Sequence, residues 1–274
     1  MFDFAKAHAD SKKDTENDSL FLLLLGASGN GKSYIQGTFG LKTLYLYTTG
    51  ESHGVKSASS LGGGNLVNVA LDRDGDKELT PDETLARLFL ILDDVESIKA
   101  AGFGAISIDG ASEIENVIRN STRFKTNVKS PFDEGPVTLG VFRQIINRLK
   151  HLQRTLNIHV CLTCILNIKE MSEIGLITDS TPQLHGYQVA TGLVQQFDDV
   201  LIIGRMQKGE KVAYKLQLLA SVTKTTADFK TKDIKKTFNF SPRLTGLDIT
   251  SLGATLDADL SKIIALKQGK TNGK

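Results

Sequence analysis

The stretch Gly26-Ala-Ser-Gly-Asn-Gly-Lys-Ser33 lies between an unbroken apolar run, Leu20 to Leu25, and a segment of helical pattern, and no other part of the chain constrains the fold as tightly. An apolar run without alternation is the mark of a strand covered on both faces, as in a parallel sheet. Gly26, Gly29 and Gly31 free the backbone so that successive N–H groups converge on one point. A helix starting near Lys32 adds the partial positive charge of its N-terminus to the same place. The spacing matches G-x-x-x-x-G-K-[ST] at every fixed position, so Gly26, Ala27, Ser28, Gly29, Asn30, Gly31, Lys32, Ser33 and the adjoining Tyr34 form a candidate phosphate loop. In such a loop Lys32 bridges the β and γ phosphates of ATP, and the Ser33 hydroxyl ligates Mg²⁺.

Further strands are expected at Thr43 to Tyr47, Asn65 to Leu71, Gly104 to Ile108, Ile158 to Ile165, Val200 to Ile203 and Val212 to Leu219. Between them run helical patterns at Pro81 to Ala100 and Val137 to Thr155, the second with an apolar stripe of Val141, Ile145, Leu149 and Leu152. Strands alternating with amphipathic helices predict an α/β fold with a mostly parallel sheet flanked by helices. The expected organisation is an N-terminal tail at 1–18, one domain at 19–245, and a C-terminal helix with a basic tail at 246–274. The two cysteines, Cys161 and Cys164, lie three apart on a buried strand and face opposite sides, which favours core packing over redox or metal chemistry. No apolar run approaches the roughly 18 residues of a membrane span, and the start of the chain lacks a signal-peptide pattern, so a cytoplasmic protein is expected.

A phosphate loop works with a carboxylate at the carboxyl end of a nearby strand. Asp109 ends the run Phe103-Gly-Ala-Ile-Ser-Ile-Asp109 and is the candidate for the magnesium shell, on a strand expected beside the loop. Gly110 follows it where many ATPases carry a glutamate, so the group that orients the attacking water is sought elsewhere. Glu51 closes Leu44-Tyr-Leu-Tyr-Thr-Thr-Gly-Glu51, a strand expected next to the phosphate-loop strand, and Glu113 is a weaker substitute. Lys32, Glu51 and Asp109 are thus the expected catalytic set.

The order of these parts resembles a RecA-type ATPase core. Pro182-Gln-Leu-His-Gly186 and Phe197-Asp-Asp-Val-Leu201 add a resemblance to the compact ATP-binding proteins of bacteriophages, some of them single-strand annealing recombinases. The likeness spans about residues 20–220. It implies an oligomeric, Mg²⁺-dependent ATPase that binds single-stranded DNA in recombination, annealing or repair, in the host cytoplasm if phage-encoded. It also implies a cation donated by the neighbouring copy, for which Lys224, Lys230 and Lys232 are candidates, and an oligomerisation segment like Phe4-Ala-Lys-Ala7. Where RecA has a glutamine at the tip of the strand after the long helix, this chain has Thr163, Cys164 and Asn167. The DNA contacts would come from the loop after Asp109, with Arg119, Arg123, Lys125 and Lys129 for phosphates and Phe124 for base stacking, and from the loop at Lys169 to Gln188.

Three rival readings stand beside this one, of which a small nucleotide or metabolite kinase is disfavoured because the chain shows no arginine-rich lid. A phosphate-loop ATPase acting on protein partners, as an assembly motor or regulator, fits the same motifs without DNA. Asp72, Asp74, Asp76 and Glu83 match four calcium-ligand positions of an EF-hand, but Lys77 replaces the glycine of its sharp turn, which favours a polar turn capping the helix near Pro81. The net charge of +2 hides segregation: nine acids face three bases over 72–96, whereas eight bases face two acids over 119–154. That pattern excludes a uniformly basic polycation and leaves room for a basic working face.

Overall fold

The computed structural model describes residues 18–171, 177–208, 211–217, 243–245, 247 and 255–269. The first strand, β1 (Phe21–Gly26), is buried along its whole length. Each large apolar side chain taken from water there contributes about 1.5–3 kcal/mol, and β1 supplies five in succession. After the glycine loop come α1 (Lys32–Gln36), β2 (Thr43–Tyr47), a single turn at Thr49–Glu51, α2 (Ser52–Gly62) and β3 (Leu66–Ala70). A short hairpin, β4 (Arg73–Asp74) with β5 (Lys77–Glu78), leads to α3 (Pro81–Asp93) and α4 (Val95–Ala100). Then follow β6 (Ala105–Asp109), α5 (Ala111–Asn120), α6 (Thr122–Asn127), α7 (Pro131–Leu156), β7 (His159–Met171), β8 (Ile177–Pro182), α8 (Tyr187–Val194), β9 (Asp199–Lys208), β10 (Lys211–Gln217), β11 (Thr255–Asp257) and α9 (Leu260–Lys267).

Among the described residues these strands form one nine-stranded sheet in the order β11-β10-β9-β1-β7-β6-β2-β3, with β8 paired to β7. The strands from β9 to β3 run parallel, while β10, β11 and β8 are antiparallel additions. One face packs Phe21, Leu23, Leu25, Ile106, Ile108 and Leu162 against α3 to α8. The other packs Leu20, Leu22, Leu24 and Cys161 against Ile35 of α1 and against Leu260, Ile263 and Ile264 of α9. The C-terminal helix thus belongs to the same core as β1. No described helix is long and apolar enough to cross a membrane.

The α/β class and the mostly parallel sheet match the sequence expectation, and several details differ. Pro81 to Ala100 is two helices, because the Asp94 side chain accepts from Ser97 N–H at 3.1 Å and starts a second one. The long helix begins at Pro131, six residues before Val137, where Ser130 and Asp133 form a capping box and Pro136 is carried inside the helix. The strand expected to end at Ile165 continues to Met171, so part of the loop expected at Lys169 to Gln188 is a hairpin arm. The cysteines do face opposite ways, Cys164 into one core and Cys161 into the other. Burial lifts the Cys161 thiol well above its usual range and pushes that of Cys164 up to about 12, leaving neither reactive.

The amino ends of the strands are closed by polar contacts. His159 Nδ1 accepts the Leu20 N–H at 3.0 Å, and burial, followed by the Lys267 charge, pushes the imidazole down to about 4. In the unfolded chain the same group titrates near 6.5. Between those values the unfolded state binds more protons, so the stabilisation is complete above about pH 6.5 and lost as pH falls toward 4. Urea unfolding across that window should show stability declining with acid, and His159→Gln should flatten the slope.

Candidate nucleotide and metal site

Gly26 ends β1 and the chain turns through Ala27 to Gly31 before α1. Gly31 caps α1 with φ of +87°, a left-handed conformation that a side chain resists. A Cβ there would also lie 2.7 Å from the ring of Tyr214, which rests on the loop from β10. The Tyr34 and Tyr214 ring centroids are 5.3 Å apart, so an aromatic pair borders the loop. Lys32 folds back, its Nζ donating to the Gly26 and Ala27 carbonyls at 3.0 Å each. Burial lowers its pKa, and the charges of Asp109 and Glu51 partly offset that effect.

Ser33, one residue on, donates its hydroxyl proton to Asp109 Oδ2 at 2.6 Å. The expectation that β6 adjoins β1 is corrected, since β7 stands between them. The α1 helix lies over this face and delivers Ser33 across the intervening strand. Asp109 is only 2% exposed, and it accepts two further hydroxyls, Tyr45 OH on Oδ2 and Thr163 Oγ1 on Oδ1, both at 2.5 Å. Below them Ser107 Oγ donates to Gln36 Oε1, tying α1 to β6 a second time.

Glu51 reaches the same charges by a route the sequence did not indicate. The strand β2 was expected beside β1, but β7 and β6 separate the two. Even so, the turn after β2 brings Glu51 into the field of Asp109, Lys32 and Glu113. Burial raises its carboxyl above the usual range, Asp109 adds to the rise, and Lys32 opposes it. The turn is pinned by Asp72, whose carboxylate accepts from Thr49 N–H at 2.9 and 3.0 Å and from Thr49 Oγ1 at 2.6 Å.

That pinning gives Asp72 a structural place in the acid-rich run. Asp74 pairs with Arg87 at 3.2 Å, and Glu83 caps α3 with Thr80, as the polar-turn reading expected. Among the described residues no group of three or more His, Cys, Asp or Glu is placed to hold a metal ion. Ser33 and Asp109 fit Mg²⁺ on different grounds. They are hard oxygen donors of the kind that ion takes together with phosphates and water. Gly54, near the start of α2, packs directly on them: a Cβ there would lie 2.5 Å from Ser33 Oγ and 2.9 Å from Asp109 Oδ2.

The expected DNA residues divide. Phe124 is corrected, because it is buried in the core with the Arg119 guanidinium stacked 5.3 Å from its ring centroid. Arg119 is itself held by Glu134 at 2.9 Å. Arg123, Lys125 and Lys129 are exposed, and Phe132, which sequence reasoning missed, is 89% exposed three residues after Lys129. Of the strand-tip candidates, Thr163 meets Asp109, Cys164 is buried against Ser112, and Asn167 is exposed. Lys224, Lys230, Lys232 and the Phe4 to Ala7 segment lie outside the described residues. No protein-family model matches this chain, and no curated protein does either. The fold and site define an α/β protein with a phosphate-loop motif set against a buried carboxylate.

Gly54→Ala tests the metal position. The added methyl would intrude on Ser33 and Asp109; if these two hold Mg²⁺ beside a nucleotide, the ion should lose its contribution to nucleotide affinity by about tenfold or more, read by titration with and without the ion. Unchanged magnesium dependence would remove Gly54 from the site.

Proposed function

We propose that this chain is a RecA-like, Mg²⁺-dependent ATPase that couples ATP to oligomeric binding of single-stranded DNA. The observation that carries the reading is the 2.6 Å contact between Ser33 of the phosphate loop and the strand-end carboxylate Asp109, with Lys32 and Glu51 in the same field. The strand order supports it, with one parallel strand inserted between β1 and the strand that bears the acid.

In this reading the loop amides and Lys32 receive the phosphates, Lys32 exchanging the Gly26 and Ala27 carbonyls for phosphate oxygens. Ser33 and Asp109 would hold Mg²⁺, which when bound supplies neutralising charge at the phosphate oxygens. Glu51 orients the attacking water and accepts its proton. The Tyr34 and Tyr214 rings exclude water from the loop's outer side. For nucleic acid, the exposed cations Arg123, Lys125 and Lys129 meet phosphates and Phe132 replaces Phe124 as the stacking ring.

Lys32→Ala should abolish ATP binding, whereas Glu51→Gln should keep binding and slow hydrolysis by about 10²–10⁴-fold. Because burial holds the Glu51 carboxyl high, kcat/KM should rise with pH through a limb above the ordinary glutamate range, and that limb should vanish in Glu51→Gln. Phosphate release that survives Lys32→Ala would overturn the assignment.

Binding to single-stranded DNA should strengthen with ATP and weaken with salt. Replacing Arg123, Lys125 or Lys129 should each reduce the salt slope by roughly 0.7, and Phe132→Ala should cost about 1–3 kcal/mol. No binding at low salt in any nucleotide state would leave the ATPase without its DNA arm.

A further inference from the structure

Asp109 sits at the end of β6 between two neighbours that each send it a hydroxyl. Tyr45 comes from β2 on one side and Thr163 from β7 on the other. Both are fully buried, as the carboxylate nearly is. The torsion of a carboxylate about its last bond is broad, so a single partner leaves its plane free to turn. Donors on different oxygens, arriving from opposite flanks, fix that plane. Neither donor carries charge, so the orientation is gained without neutralising Asp109.

We infer that Tyr45 and Thr163 are positioning residues for the metal site, acting through Asp109 on Ser33. The inference rests on the nucleotide reading above. Ser33 has one proton and two lone pairs. While its proton is donated to Asp109 Oδ2, the lone pairs of its oxygen are not used in that bond and can serve a cation. If Asp109 turns, the direction of the Ser33 proton turns with it, and the lone pairs leave the cation position. Tyr45 and Thr163 therefore set the geometry of Ser33 through Asp109, with Tyr45 also within hydrogen-bonding reach of the Ser33 hydroxyl, as outer hydrogen bonds do for metal ligands generally. Tyr45 also lies on the strand that leads to Glu51, so one element places both the acid's donor and the water-orienting group.

The test uses Mn²⁺, whose free concentration is read by electron paramagnetic resonance, with ADP as the nucleotide. Wild type, Tyr45→Phe, Thr163→Val and Thr163→Ser are compared, with circular dichroism reporting the fold. Tyr45→Phe and Thr163→Val should each weaken Mn²⁺ binding in the presence of ADP by about 10-fold or more, and Thr163→Ser should restore it. Affinity for ADP in EDTA should stay the same in all four proteins. Unchanged Mn²⁺ affinity, or an equal loss with and without metal, overturns the positioning role and leaves the nucleotide reading standing. If wild type binds ADP neither with nor without Mn²⁺, the nucleotide reading fails and this inference falls with it. Should Tyr45→Phe not fold, the Val and Ser variants at position 163 decide the matter alone.

Discussion

A carboxylate withdrawn from water costs several kcal/mol unless hydrogen bonds replace its hydration, and Asp109 is such a group. Its three hydroxyl partners come from α1, β2 and β7. That requirement ties local chemistry to topology. Tyr45 and Thr163 reach Asp109 from either side only if β6 lies between β2 and β7, and Ser33 reaches it only if α1 spans β7 from the end of β1. The strand order and the position of the glycine-rich loop are thus two expressions of one buried charge.

Around this centre the packing is close because small residues permit it. Gly37 ends α1 where a Cβ would lie 2.2 Å from the Ala58 carbonyl, so α2 settles directly on α1. Gly54 lets the start of α2 approach Ser33 and Asp109 in the same way. The helix whose start packs on Ser33 and Asp109 begins immediately after Glu51, and the turn before it is held by Asp72. The group proposed to orient water and the start of α2 are therefore placed by the same turn. Thr48, at the head of this turn, has a buried hydroxyl with no hydrogen-bond partner among the described residues.

The strand, glycine-rich loop and helix at residues 21–36 were legible because glycine spacing, a lysine and a hydroxyl form a local pattern whose flanking strand and helix are equally local. Asp109 was legible as a polar terminus on an apolar strand. Strand order was not, since Thr43 to Tyr47 reads identically beside β1 or three places away. Phe124 misled for a related reason: Thr122–Asn127 is too short to show periodicity, so nothing local told its buried ring from the exposed Phe132. One signal was present but needed three strands at once. Tyr45, Ser107 with Asp109, and Thr163 all break apolar strands at alternate positions, and in register they share a single face. Hydroxyls placed so regularly inside apolar runs require partners, and that face is where α1 delivers Gln36 and Ser33.

The opposite end of β1 shows why the loop can be placed so closely. Asp199, buried at the start of β9, accepts the Phe21 N–H at 3.0 Å and the Thr245 N–H at 2.8 Å, and Lys267 of α9 meets both of its oxygens at 2.9–3.0 Å. Removing one partner from such a buried pair typically costs about 3–5 kcal/mol, because the other charge is left uncompensated. Together with His159 on Leu20, this fixes where β1 begins, and five buried apolar residues fix its path. A strand anchored at its origin and packed on both faces has little freedom at its tip, so the position of Gly26, still paired with Ile165 of β7, is set. The geometry of Lys32 and Ser33 against Asp109 therefore depends on contacts made at the opposite, amino ends of the central strands.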